Sequence, residues 1–233
     1  MELDPEILPW MRDTASDTVP FSHCIRTVKY LPSLPWIGTN PSIETGFASR
    51  AKPGEINNGD SFLVHHFSPG RTIAAVIDGL GHGQEAFRAS QLAHDQILMK
   101  PDIPLNALMQ HIHKSLQATR GATIGILHIN TTTGILEFSG IGNIEGFIIS
   151  HKGRTNFLSY GGIMGHNMRT PRVFNFEFNA GDTACLLSDG ITSRWKYEEI
   201  PWEGAPQKTA DYILHHFSRP NDDATVLILR HVV

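Results

Sequence analysis

Apolar segments of strand length, separated by polar turns, follow one another along most of the chain. In several of them apolar and polar residues alternate, as at Phe174, Phe176 and Phe178, which is typical of a strand with one buried face. Turns rich in glycine, asparagine and aspartate divide the segments, as hairpins require. The predicted strands are 43–49, 61–67, 73–77, 122–129, 135–139, 144–149, 155–158, 174–178, 183–188 and 224–230.

Two segments between the third and fourth of these strands have apolar residues at helical spacing instead. Pro101 and Pro104 separate them, so a helical hairpin is predicted, and a third helix is expected around residues 208–216. The two apolar stripes consist of Ala86, Ser90, Ala93 and Ile97, and of Leu105, Leu108, Met109, Ile112 and Leu116.

The order of these elements is strands, two helices, many strands, one helix and one strand. Consecutive hairpins imply mainly antiparallel sheets, and helices in such α+β folds cover outer faces. The number of strands favours two sheets packed together. The domain is expected to span residues 41–233.

Residues 1–40 differ from the rest because prolines interrupt them repeatedly. A strand over 21–31 is the only element that we predict there. We interpret the segment as an N-terminal arm or extension, which packs on the domain or meets a partner; the alternative is a partly ordered tail.

Composition excludes several classes of function. With 40% hydrophobic residues among 233 the chain can bury a large core, and its formal net charge of −4 without clustered lysine and arginine argues against nucleic-acid binding. No membrane span or signal peptide is predicted, and Cys24 and Cys185 lie far apart, so reduced thiols and a cytoplasmic location are expected. The 13 histidines lack the spacing of a zinc site.

Aspartates stand at the ends of four predicted strands. Asp78 and Asp189 each end an apolar strand and precede a glycine, whereas Asp60 and Asp222 stand just before strands. One such residue is ordinary turn chemistry. Four of them make a convergent carboxylate cluster plausible, and oxygen ligands of this kind favour Mg²⁺ or Mn²⁺ over zinc.

These acids lie in segments that resemble the metal-dependent 2C-type protein phosphatases, in their bacterial SpoIIE-like branch. Two glycine motifs also resemble the small stressosome phosphatases of the RsbX type. The resemblance implies a four-layer αββα sandwich, in which two mainly antiparallel sheets are flanked by helices. The acid segments are Asn58-Gly59-Asp60-Ser61, Asp78-Gly79-Leu80-Gly81-His82-Gly83, Leu187-Ser188-Asp189-Gly190 and Asn221-Asp222-Asp223-Ala224-Thr225-Val226; the glycine motifs are Gly140-Ile141-Gly142-Asn143 and Gly161-Gly162-Ile163-Met164-Gly165.

The resemblance also implies a centre of two divalent ions, Mn²⁺ or Mg²⁺, near one end of the sandwich. By position in the motifs, Asp60 and Asp78 would be ligands, with Asp78 bridging both ions, and the carbonyl of Gly79 would contact one ion. Asp189 and Asp222 would complete the set. Asp223 would hydrogen-bond nearby or hold a further ion.

The mechanism implied is in-line attack on phosphorus by a hydroxide that bridges the metals. His82 is a candidate general acid because imidazole titrates in the right range, although Leu80 stands where better-known family members have their histidine. A water on the metal is the alternative proton donor. Arg50 is a weak candidate for a phosphate clamp, and otherwise the site would rely on its metals.

The function that this resemblance implies is a phosphoserine/phosphothreonine protein phosphatase. Its substrate would be a phosphorylated regulator of bacterial stress signalling, of the STAS-domain type found in stressosomes or as an anti-sigma antagonist, and we expect a monomer without nucleic-acid or membrane partners. The alternative is a non-catalytic 2C-type fold that binds a phosphoprotein. A nucleotide-binding loop at Gly79–Gly83 is disfavoured because the Walker lysine and the dinucleotide glycine spacing are absent.

Overall fold

The computed structural model describes residues 42–233, and both the predicted arm and its possible strand lie outside this range. The described chain contains ten strands and three α-helices. The strands are β1 (Ile43–Arg50), β2 (Asp60–Ser68), β3 (Arg71–Gly79), β4 (Ala122–Asn130), β5 (Ile135–Ile141), β6 (Glu145–Ser150), β7 (Gly153–Asn156), β8 (Phe174–Glu177), β9 (Thr183–Leu187) and β10 (Ala224–His231). The helices are α1 (Gln84–Met99), α2 (Leu105–Ser115) and α3 (Pro206–Phe217).

The strands form two five-stranded sheets in which every pairing is antiparallel. The first sheet has the order β1-β10-β9-β6-β7, and the second has the order β2-β3-β4-β5-β8. In the second sheet β2 to β5 form a meander and β8 is added at its edge, whereas β1 and β10 bring the two ends of the domain side by side in the first sheet.

The sheets are stacked, and helices cover their outer faces. One cluster of buried side chains, including Val76 and Leu227, lies between the two sheets. A second cluster, including Ile77 and Met109, packs α1 and α2 on the second sheet, and a third, including Ile213 and Ile228, packs α3 on the first. These layers confirm the predicted αββα sandwich.

The layering explains why the strand before Asp78 is apolar without alternation. Successive side chains of β3 point to opposite faces, so Ile73, Ala75 and Ile77 pack against the helices while Ala74 and Val76 face the other sheet. Both faces are buried from Ile73 to Ile77, so this part of the strand is entirely apolar. The helical stripes predicted for α1 and α2 are likewise buried in full.

Element boundaries differ from the predictions in a few places. Strand β7 covers Gly153–Asn156 rather than 155–158, because Phe157 has already turned inward to pack on Phe138. Helix α3 begins two residues early at Pro206, where a proline is tolerated because the first helical N–H groups need no partner within the helix. No helix in residues 42–233 is long and apolar enough to cross a membrane.

Gly46 in β1 gives a test of the outer α3 layer. A Cβ there would lie 2.1 Å from the backbone carbon of Pro206, so Gly46→Ala must push α3 off the sheet. We expect a loss of about 1–3 kcal/mol in the free energy of unfolding, as for other overpacked sites, measured by urea unfolding. Gly161→Ala is the matched control, since nothing lies within 4 Å of the position that a Cβ on Gly161 would take. An equally stable Gly46→Ala would contradict the packing described.

Candidate metal centre

Antiparallel pairing of β2 and β3 places two of the predicted ligands side by side. Asp60 at the start of β2 is directly opposite Asp78 near the end of β3, and directly opposed residues present their side chains on the same face. The Gly79 N–H donates to the Gly59 carbonyl at 3.1 Å, which extends this register past the acids.

The other acids come from the first sheet. Asp189 follows β9 and Asp222 precedes β10, and these strands are antiparallel neighbours, so both residues lie at the same end of that sheet. All the acids act on one another electrostatically across the two sheets: Asp60, Asp189, Asp222 and Asp223 each raise the pKa of Asp78. The structure thus brings together the four aspartates predicted as ligands, together with Asp223, which was expected near them.

A serine links the two sheets at this cluster. The Ser188 hydroxyl donates to Asp60 Oδ2 at 2.6 Å, and the hydroxyl oxygen accepts the Thr225 N–H at 2.9 Å. Asp60 and Ser188 are almost fully buried, with 5% and 2% of their surface exposed. Because the hydroxyl is both donor and acceptor, β2 of one sheet is joined to β9 and β10 of the other.

Asp189 is held by a second relay. The Asn143 amide donates from Nδ2 to Asp189 Oδ2 at 2.6 Å, while the Thr123 hydroxyl donates to Asn143 Oδ1 at 2.7 Å. Gly142 before it has a φ of +97°, a backbone conformation that suits glycine. The glycine motif that ends in Asn143 contributed to the family resemblance, but no role for Asn143, Thr123 or Ser188 could be assigned from sequence.

The two neighbouring acids before β10 have different surroundings. Asp223 is 3% exposed; its Oδ1 accepts the Lys52 N–H at 2.9 Å, and its buried Oδ2 has no hydrogen-bond partner. Asp222 is partly exposed, and its Oδ1 accepts the Asp223 N–H at 3.0 Å. The choice of Asp222 over Asp223 as ligand stays a prediction.

Burial and mutual repulsion disfavour the charged state of the cluster. Burial is the main cause that raises the pKa of Asp60 to about 7. The hydrogen bonds from Ser188 and Thr225 lower this pKa, and the charges of Asp223 and Asp189 raise it. Burial, followed by the neighbouring acids, raises the pKa of Asp78 to about 9. The pKa of Asp189 is raised chiefly by burial and then by Asp222, and the positive charge of Arg219 opposes this rise.

The residues present fit a divalent cation. None of the five aspartates forms an ion pair with a basic side chain of residues 42–233. In addition, the buried Oδ2 of Asp223 has no hydrogen-bond partner. In that part of the chain no three acidic, histidine or cysteine side chains are arranged as a ligand set as they stand, so the carboxylates would have to move closer together to hold an ion. Carboxylate oxygens are the ligands that Mg²⁺ and Mn²⁺ prefer.

Two other residues singled out from sequence lie beside the cluster. Gly79 has no room for a side chain, since a Cβ would lie 2.0 Å from the Ala86 carbonyl oxygen. His82 is exposed, with Nδ1 2.7 Å from Glu55 Oε1. Neither contact decides whether Gly79 binds metal or His82 gives a proton, and both stay predictions.

Arg50 has a structural task next to the acids. Its Nη2 donates to the Arg219 carbonyl at 2.6 Å and to the Asp222 carbonyl at 3.4 Å. The guanidinium thereby fixes the turn that carries Asp222 and Asp223, so its contacts favour a positioning role over a phosphate clamp.

Comparison with known proteins decides the family. The model of the Stage II sporulation protein E (SpoIIE) family matches residues 68–232, which is most of the chain. The chain belongs to the SpoIIE family of metal-dependent protein phosphatases. The enzyme class and the family inferred from the strand-end motifs are therefore confirmed.

Individual relatives agree with this SpoIIE assignment. Phosphoserine phosphatase RsbX of Bacillus subtilis (strain 168) is 24% identical over 153 residues, covering 65% of this chain and 76% of that protein. A chain from a structure of the bacterial stressosome, described as a modular system adapted to control secondary messenger signalling, is 30% identical with a TM-score of 0.77. The match covers 81% of this chain and 99% of that one. RsbX solved with magnesium is 22% identical, with a TM-score of 0.75 and coverage of 83% and 97%, and shows the same fold.

The raised pKa values predict how stability depends on pH without metal. The ordinary pKa of an aspartate is 3.8, and in the folded protein it is raised to about 7 for Asp60 and about 9 for Asp78. At pH values between the ordinary and the raised pKa, the folded state binds more protons than the unfolded state. The contribution of these groups to stability therefore falls as pH rises through this window. Metal displaces those protons, so its stabilising effect should grow with pH.

Thermal unfolding in EDTA and in excess Mg²⁺, between about pH 5 and about pH 8, measures both effects. We expect the metal-free Tm to decrease and the gap between the two curves to widen. In Asp78→Asn the decrease should be smaller, since the group of highest pKa is gone. A gap that narrows with rising pH would contradict the assignment of a buried acidic metal centre.

The link through Ser188 can be tested against a matched serine. Ser188→Ala leaves Asp60 Oδ2 and the Thr225 N–H without this partner, so a loss of about 1–3 kcal/mol in unfolding free energy is expected. Ser139 is equally buried, but its hydroxyl has no hydrogen-bond partner, and Ser139→Ala should be nearly neutral. Equal losses in the two variants, by urea unfolding in EDTA, would rule out the link.

Proposed function

We propose that this chain removes phosphate from phosphoserine or phosphothreonine in a regulator of bacterial stress signalling, using two divalent ions held by the aspartate cluster. The observation that carries the proposal is the meeting of acids from both sheets at one end of the sandwich without an ion pair to any basic side chain of residues 42–233. RsbX, named as a phosphoserine phosphatase, and the stressosome chain support this class of substrate. A phosphorylated STAS-domain regulator, free in the cytoplasm, is the partner we favour.

The proposed ligands are the carboxylates of Asp60, Asp78, Asp189 and Asp222 with the carbonyl of Gly79. Asp78 interacts electrostatically with acids of both sheets, so its carboxylate is the one that would contact both ions. Divalent ions bound there would lower the pKa of water and offset the charge of the phosphoryl oxygens.

Residues around the cluster would orient the proposed metal ligands. Ser188 orients Asp60, Asn143 orients Asp189, and the Asp223 N–H orients Asp222, each through a direct hydrogen bond of 3.0 Å or less. Ligands held in this way lose little freedom when a cation arrives, which favours binding. The same carboxylates without a cation would repel a phosphate dianion.

His82 is the proposed proton donor to the leaving serine oxygen. Glu55 faces its Nδ1, and one ring nitrogen is left for another partner. A proton-transfer role requires that His82→Gln lower kcat and alter its pH profile, since the glutamine keeps a polar side chain but cannot titrate.

Hydrolysis of para-nitrophenyl phosphate and of a phosphoserine peptide tests the proposal. Activity should vanish in EDTA and return with Mn²⁺ or Mg²⁺, and Asp78→Asn and Asp189→Asn should each lower kcat at least about a hundredfold, because each removes a charge from the cation site. Asp95→Asn on the exposed side of α1 is the control and should leave activity unchanged. Metal-independent hydrolysis, or a fully active Asp78→Asn, would refute the proposal.

The same assay can distinguish whether Asp222 or Asp223, the two acids before β10, is the metal ligand. If Asp222 is the ligand, Asp222→Asn should raise the metal concentration needed for half-maximal activity far more than Asp223→Asn. The reverse order would move the assignment to Asp223, whose unpartnered Oδ2 makes it the obvious competitor.

A further inference from the structure

Arg120 lies at the same end of the second sheet as Asp78. The first residue of β4, Ala122, is opposite Gly79, and the Leu80 N–H donates to the Gly121 carbonyl at 2.9 Å. Arg120 is the residue before Gly121, and its guanidinium lies against Gly81: Nη1 is 3.2 Å from the position that a Cβ on Gly81 would take. Arg120 therefore borders the loop that leaves Asp78.

The backbone of Arg120 is fixed on both sides. Its carbonyl faces His166 Nε2 at 2.9 Å, and the Gly121 N–H donates to the Thr119 hydroxyl oxygen at 3.0 Å. That hydroxyl in turn donates to the Leu116 carbonyl at 2.7 Å, at the end of α2. The turn is thus anchored while the side chain is exposed.

The guanidinium itself has no partner within residues 42–233: neither a hydrogen bond, nor an ion pair, nor an aromatic ring. Arg154 shows the contrast, since it pairs with Glu145 and lies over Phe147. An arginine with all its donors free, beside the loop that leaves Asp78, is suited to bind an anion.

We propose that Arg120 contacts the phosphoprotein substrate through an anionic group, either the phosphoryl oxygens or a carboxylate near the phosphoserine. This inference rests on the proposed phosphatase function. Gly81 leaves the space that the guanidinium occupies, and its φ of +90° suits glycine. Arg50, nearer to the acids in sequence than most basic residues, cannot serve in the same way while it holds two backbone carbonyls.

Arg120→Gln and Arg120→Lys, each loaded with Mg²⁺ or Mn²⁺, test the contact. We expect Arg120→Gln to raise KM for a phosphoserine peptide about tenfold with a smaller change in kcat, because a charge-assisted hydrogen bond to bound substrate is lost. Arg120→Lys should recover part of the loss, since it keeps the charge but not the planar fork. Arg71→Gln is the control, at the opposite end of β3 and exposed.

The small substrate para-nitrophenyl phosphate distinguishes the two anionic groups. If Arg120 binds the phosphoryl oxygens, KM rises for this compound as well as for the peptide; if it binds a carboxylate of the partner, only the peptide is affected. An unchanged KM for both substrates, with Arg71→Gln also unchanged, would overturn the inference while leaving the phosphatase function intact.

Peptide binding separates this inference from the proposed function. Fluorescence anisotropy of a labelled phosphoserine peptide with the metal-loaded protein requires no turnover. Weaker binding by Arg120→Gln in a protein that never hydrolyses the peptide would support the contact and refute the phosphatase function. Equal binding by the native chain and by Arg120→Gln would overturn the contact.

Discussion

The buried hydrogen bond from Ser188 to Asp60 is the contact on which the acid cluster depends. It joins residues 128 positions apart and connects the two sheets at the end where the acids meet. Sheet stacking alone leaves the offset between the sheets free to vary, because apolar side chains pack without strong direction. A short hydrogen bond between a hydroxyl and a carboxylate does fix that offset, and the Thr225 N–H fixes the hydroxyl in turn.

The cluster that results is electrostatically unfavourable by itself. Five aspartates share a partly dry region, and the two that face each other across β2 and β3 have strongly raised pKa values. Only the surrounding layers, with their large apolar cores, can hold such a set together. Cations bound at the cluster would offset this repulsion, so metal affinity and fold stability would be linked.

The periodicity of the sequence was sufficient to predict the layers, because burial on one or both faces of a strand determines which of its own residues are apolar. The strand-end position of Asp60, Asp78, Asp189 and Asp222 was likewise visible, and the motifs around them identified the family. What could not be predicted depends on residues distant in sequence. Asn143 reaches Asp189 across 46 positions, and nothing local to either residue indicates the contact. The inward turn of Phe157, which shortens β7, depends on Phe138 in the same way.

Arg50 and Arg120 illustrate this limit most clearly. Its position upstream of Asp60, as in related phosphatases, made Arg50 a candidate phosphate clamp, but its Nη2 is directed to two backbone carbonyls of the turn before β10. Arg120 is far from every acid of the cluster in sequence and reaches the loop after Asp78 only because β4 is the neighbour of β3. A basic residue whose donors are used to shape the site is poorly placed to bind substrate as well, whereas one with a fixed backbone and a free guanidinium can do so. The division of tasks between them follows from strand order, which the residue pattern alone does not specify.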